Sequence, residues 1–234
     1  MQRVISIWNK EVRDYFISPI AYIVISVFLL VTGWLFFSTF FIYNQADLRN
    51  FFNLLPVAFA FVVPAITMRL FSEEINRGSY ETLLTLPVTF RDIILGKYLA
   101  GLAMVAAILV PTLAYPVLIS TVGDVDWGPV AGGYAGALLL GGAFTGVGLF
   151  ASALTRNQIV AFILGALICF TLTVFDRMLF FFPAFMVDVV SYLGAGHHFQ
   201  NISKGIIDSR DIVYFLSIAF IGLYATHLVM QEKK

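Results

Sequence analysis

Six times along its 234 residues the chain runs for about 20 positions with few or no charged side chains, over 20–43, 51–71, 93–121, 130–154, 159–181 and 212–230. Wound as an α-helix at about 1.5 Å per residue, a run of that length crosses the roughly 30 Å hydrocarbon core of a bilayer. A helix also satisfies its backbone N–H and C=O groups internally, which lipid demands. The pattern therefore predicts an all-α membrane protein of six transmembrane helices. Composition agrees, because 60% of the residues are hydrophobic and only 12% charged, against about 25% charged in soluble domains. One water-soluble core cannot hide that imbalance.

Ahead of the first run, Val4, Ile5, Trp8, Val12, Tyr15 and Phe16 recur at helical spacing, with Arg3, Lys10, Glu11, Arg13 and Asp14 on the other side. Such a segment is expected to lie in the membrane surface. Ser18 and Pro19 end it, and Pro19 is suited to open the first span. Charge as late as Asp14 is unlike a cleaved signal peptide, so the first span is expected to stay in the mature protein. Pro56, Pro64, Pro111 and Pro116 fall inside spans, where neighbouring helices are expected to satisfy the freed carbonyls. The fourth run carries Gly132, Gly136, Gly142 and Gly146 as small-x-x-x-small pairs, which predict close helix packing within one subunit. With the N-terminus inside, ten of the fourteen Lys and Arg residues fall on the inner face, which sets the expected orientation.

Several chemistries are excluded. Away from span ends only His227 is ionisable, so the mid-membrane carboxylates of an ion-coupled carrier are missing. Gly96-Lys97 is not a phosphate loop, because Tyr98 follows it and Arg91 stands where the first glycine belongs. Any ATP must be hydrolysed by another chain. Net charge is zero and no basic stripe exists, so nucleic acid is not an expected partner. Cys169 is alone, and the adjacent His197 and His198 diverge on a helix, so no metal site is expected. No serine–histidine or paired-aspartate constellation suggests an enzyme. Asp176 and Arg177, with Phe182 and Pro183 just beyond, are candidates for an outer gate or for simple interface anchoring.

The positive signal lies between the second and third runs. Tyr80, Leu83, Leu84 and Leu86 form an apolar stripe with Glu73, Glu74, Arg77 and Glu81 around it, and Pro87 ends the helix. Thr89 and Asp92 form a capping box that opens the third span. By periodicity the stripe suits either a membrane-lying connector or a lever seated in a partner's groove.

The same segment resembles the signature of the type-2 ABC permease family, with Glu73-Glu74, the Gly78-Ser79 turn, Glu81 to Leu84, Leu86-Pro87 and Gly96-Lys97 as its elements. The Lys10-Glu11 pair in the N-terminal helix and the six spans extend the resemblance over nearly the whole chain. The run YLGAGHHFQNISKGIIDSRDIVYFLS, residues 192–217, is similar to the gliding-motility-associated branch of that family.

The resemblance implies the permease subunit of an ATP-driven exporter in the bacterial inner membrane, multi-pass, with both termini cytoplasmic. It implies a connecting helix over 1–18, a coupling segment over 72–92 and short outer helices over 182–211. Glu73, Glu74, Arg77, Ser79, Tyr80, Glu81, Leu83, Leu84 and Pro87 would meet a separate nucleotide-binding ATPase, with the Glu73-Glu74 pair helping to transmit its closure. ATP and Mg²⁺ would sit on that ATPase, with no cofactor in this chain. Further expected partners are a second copy or a related permease, an extracytoplasmic accessory protein and membrane lipid. The alternatives are an ATP-regulated anchor or mechanotransmission subunit of an extracytoplasmic complex, and a stand-alone secondary transporter.

Overall fold

A computed structural model of the chain describes residues 2–43, 47–79, 88–175, 178, 187, 191–206 and 208–233, and all the regular structure among them is helical. In chain order the helices are α1 (Gln2–Ile17), α2 (Pro19–Tyr43), α3 (Arg49–Thr67), α4 (Arg69–Arg77) and α5 (Phe90–Thr112). After these come α6 (Ala114–Ser120), α7 (Trp127–Leu154), α8 (Gln158–Val174), α9 (Ala195–Ser203) and α10 (Ser209–Glu232). Short polar side chains start several of them. Asp126, Asn157 and Asp208 accept from Gly128, Ile159 and Arg210 N–H at the heads of α7, α8 and α10. The predicted capping box at Thr89 and Asp92 is present, with both reciprocal bonds.

Five helical stretches among the described residues are long and apolar enough to cross a membrane: Pro19–Phe40, Arg49–Arg77, Phe90–Ser120, Trp127–Leu154 and Ser209–Glu232. The chain is thus a multi-pass membrane protein. The remaining expected span is represented by α8, whose 17 residues extend about 25 Å, short of the hydrocarbon thickness. Its expected continuation to residue 181 enters 176–177 and 179–186, outside the described residues.

The central helix is α7, which packs against α3, α5, α8, α9 and α10. Glycine permits this. A Cβ on Gly222 of α10 would stand 2.5 Å from the carbonyl carbon of Gly146, and one on Gly148 would stand 2.0 Å from Thr67 Oγ1. The small-residue stripe is therefore spent on contacts within the chain, as its spacing predicts. Among the in-span prolines, Pro116 cannot donate to the carbonyl of Thr112 one turn earlier, and Tyr134 on α7 donates its hydroxyl to that oxygen at 2.8 Å. By contrast α2 and α10 turn most of their surface outward, with Leu30 71% and Trp34 75% exposed. In water such faces would aggregate, whereas in lipid they are ordinary. Of the span-one phenylalanines, Phe28 and Phe36 are buried, and Phe36 contacts Phe51 and Tyr115, so these two are packing residues.

Candidate functional site

Charge gathers where α1, α4 and α5 meet. The N-terminal helix reaches α5 because residue 96 is glycine: a Cβ there would lie 2.7 Å from Ile7 Cγ2 and 3.2 Å from the Val4 carbonyl. The next residue, Lys97, turns into the junction and is 1% exposed. Its Nζ lies 2.8 Å from Glu11 Oε1, 2.8 Å from Glu74 Oε1 and 2.7 Å from the Leu70 carbonyl. An ammonium has three N–H donors, and three oxygens surround this one. The Phe71 ring closes a further side, its centroid 5.2 Å from Nζ. Lys10 adds a second ammonium, 3.2 Å from both Glu11 and Glu74. Two cations balance two carboxylates, and that balance makes burial of the group tolerable.

The electrostatics of the outlying pair follow. Burial alone would raise the Glu11 carboxyl, but the Lys97 ammonium and then that of Lys10 outweigh it, so its pKa falls below the ordinary value. Burial alone would lower the Lys10 ammonium, but Glu11 and Glu74 outweigh it, and its pKa rises. Glu74 Oε2 is buried without a hydrogen-bond partner.

The cluster forms the base of segment 72–92. On α4, Glu73 pairs with Arg77 one turn on at 2.6 Å, and the Arg77 side chain is 72% exposed. Gly78 then stops the helix at φ 71°, a left-handed conformation that costs glycine little. The Ser79 hydroxyl donates to the Glu74 carbonyl at 3.4 Å. Tyr80, Glu81, Leu83, Leu84, Leu86 and Pro87 lie outside the described residues. The chain re-enters at Val88 and Thr89, where the capping box fixes the head of α5. Through Lys97, α5 is bonded to α4, so both roots of the segment are joined to each other and to α1.

Of the sequence-predicted residues, the structure brings only Glu74 into the cluster; Glu73, Arg77 and Ser79 sit on or just after the same short helix. One expectation is corrected. Glu11, expected on the polar side of α1 opposite the apolar stripe, is buried at 8% exposure because that sector of the helix meets Lys97. Lys97 itself was read only as part of the Gly-Lys element. A signal was present in two charge-bearing dipeptide elements, Lys10-Glu11 and Gly96-Lys97, but a helical wheel cannot show that they face each other. The outer-gate candidates Asp176, Arg177, Phe182 and Pro183 lie outside the described residues.

A second polar pair joins α9 to α10. His198 Nδ1 is 2.5 Å from Asp211 Oδ1 and its Nε2 is 2.9 Å from the Tyr192 carbonyl, with the Tyr214 ring stacked at 4.0 Å. Asp211 Oδ2 is buried without a hydrogen-bond partner. Among the described residues no three His, Cys, Asp or Glu side chains converge on a metal position.

The fold and this junction define a multi-pass helical membrane protein whose charge is concentrated at the root of one connecting segment. Residues 5–229 match the family described as ABC-2 family transporter protein, and the chain belongs to that family. Membership implies a partner ABC ATPase, with the ATPase activity on that separate subunit, and allows pairing of two membrane subunits. A search of curated proteins returns no match.

Proposed function

We propose that the chain is the membrane-spanning permease subunit of an ATP-driven exporter of the bacterial inner membrane, with six spans, both termini cytoplasmic and α8 continuing outward to complete the fifth span. The observation that carries this reading is the Lys97 junction, which fastens both roots of segment 72–92 to α1. A segment meant to transmit a push needs a stiff base, and a buried ammonium held by two hydrogen bonds and a further ion pair supplies one. In this reading ATP and Mg²⁺ belong to the nucleotide-binding subunit. ATP binding draws two such subunits together and presses on the residues from Ser79 to Pro87. The displacement passes through α4 to α1 and α5 and opens a path between this subunit and a second copy or a related permease.

Purifying the tagged full-length protein from its native membranes in mild detergent tests this. A nucleotide-binding subunit in the same elution peak, with Mg²⁺-dependent ATP hydrolysis that a phosphate-loop lysine replacement in that subunit abolishes, supports the reading. A monodisperse peak free of ATPase in several detergents contradicts it.

A further inference from the structure

The joint between α3 and α4 at Met68 is held from outside. Met68 is the N-cap residue of α4, yet it keeps helical angles, φ −52° and ψ −33°, and makes no side-chain cap bond. A capping side chain folds back over the first turn from extended angles, and methionine lacks a strong acceptor, so α4 cannot be capped from its own sequence. Two of its first-turn donors are nonetheless met: Phe71 and Ser72 N–H donate to Ser152 Oγ at 3.0 and 3.1 Å. The same hydroxyl donates to the Met68 carbonyl at 2.7 Å. One O–H donor and two acceptor positions are thereby all used.

Ser152 lies in the last turn of α7, fully buried. A hydroxyl inside a membrane helix commonly bonds its own carbonyl one turn back, as Thr67, Thr145 and Thr226 do. Ser152 instead crosses to another helix. One turn earlier on the same face, Gly148 seats against Thr67 so closely that a Cβ would stand 2.0 Å from Thr67 Oγ1. The joint is also tied to α1, because Tyr15 donates its hydroxyl to the Ile66 carbonyl at 2.9 Å. Behind it, Lys233 donates to the Ala153 carbonyl at 2.6 Å and fixes the end of α7.

We propose that Ser152 caps α4 in trans and is a positioning residue that makes α4 and α7 one mechanical unit. A displacement of α4 is delivered to α7 instead of being absorbed as bending at Met68. The capping stands on geometry alone, while the delivery rests on the function proposed above.

Hydrogen exchange by mass spectrometry on the full-length protein in lipid nanodiscs tests both parts. Ser152→Ala should raise exchange of the amides of Phe71 and Ser72 by about fivefold to tenfold. Ser152→Thr, which keeps the hydroxyl, should restore wild-type exchange, and the near-isosteric Ser152→Cys should fall between. Exchange at the wild-type level in both the alanine and the cysteine variants overturns the cap. With the nucleotide-binding subunit bound, the ATP-dependent change in exchange across 141–154 should vanish in Ser152→Ala while hydrolysis continues, and return in Ser152→Thr. A nucleotide response in Ser152→Ala equal to wild type overturns the positioning role. If no ATPase binds the wild-type protein, the proposed function falls, and the amide result still decides the cap.

Discussion

Replacing Lys97 with methionine removes the buried charge that touches both Glu11 and Glu74, while keeping nearly the same side-chain volume. Removing one partner of a buried ion pair costs about 3–5 kcal/mol, because the charge left behind is uncompensated. Solvent screening gives no reason to discount the lysine, whose side chain is 1% exposed. Lys10 does give one: it is 52% exposed, stays 3.2 Å from both carboxylates and can take over part of the pairing. The expected cost is therefore near the low end, about 3 kcal/mol. For a chain of this size that corresponds to a fall in melting temperature of roughly 6–12 °C, readable by fluorescence-detected size exclusion after heating. The triple variant Lys97→Met, Glu11→Gln, Glu74→Gln removes the stranded charges as well and should recover at least half of the loss. A Lys97→Met protein melting within about 2 °C of wild type, or a triple variant no better than the single, would refute the argument that compensated charge holds the junction.

Other expectations follow from the same geometry. Because Glu11 titrates lower in the folded protein, its stabilisation is complete above the unfolded carboxylate value of 4.5 and is lost as pH falls through the folded value. Release of α1 should thus appear only below about pH 4.5, as lost hydrogen-exchange protection of the α1 amides, and a Glu11→Gln protein should lose that step. Gly222→Ala should destabilise by about 1–3 kcal/mol or prevent folding, since the three atoms nearest the added methyl are backbone. Gly136→Ala, which meets the Ile202 side chain at 3.0 Å, should cost less in the same melting assay. His198→Ala leaves Asp211 buried without its nearest partner and should lower the melting temperature, with Asp211→Asn on top restoring part of it; equal damage in single and double variants would contradict the pairing of the two side chains.

The spans were legible because lipid imposes one rule on every residue that faces it, and a shift of a few positions does not alter a run of 20 apolar side chains. Local chemistry was legible too: Thr89 with Asp92, Pro19 opening α2, and the glycines of α7 each act over a turn or a face of one helix. What stayed hidden depends on residues far apart in the chain. Glu11 and Lys97 are 86 positions apart, so the polar side of α1 could not be divided into a part facing water and a part facing the protein. Ser152 caps a helix 80 residues earlier, and nothing in the sequence around either residue announces it. Of the six expected spans, five are long enough among the described residues; the other rests on α8, too short to cross by itself, whose expected continuation through Asp176 and Arg177 lies outside them. The Glu73-Glu74 pair was read as one unit, yet successive helical residues point about 100° apart. Only Glu74 therefore meets Lys97, while Glu73 turns to Arg77.

The central claim is that the segment hung from this junction carries the ATPase. Its most direct test replaces Leu83 and Leu84 together with aspartate in the full-length protein and measures the nucleotide-binding subunit recovered per permease inserted in the membrane. Loss of that subunit, with the permease still inserted, monodisperse and melting as wild type, is the predicted result. Undiminished recovery of the ATPase would contradict the claim.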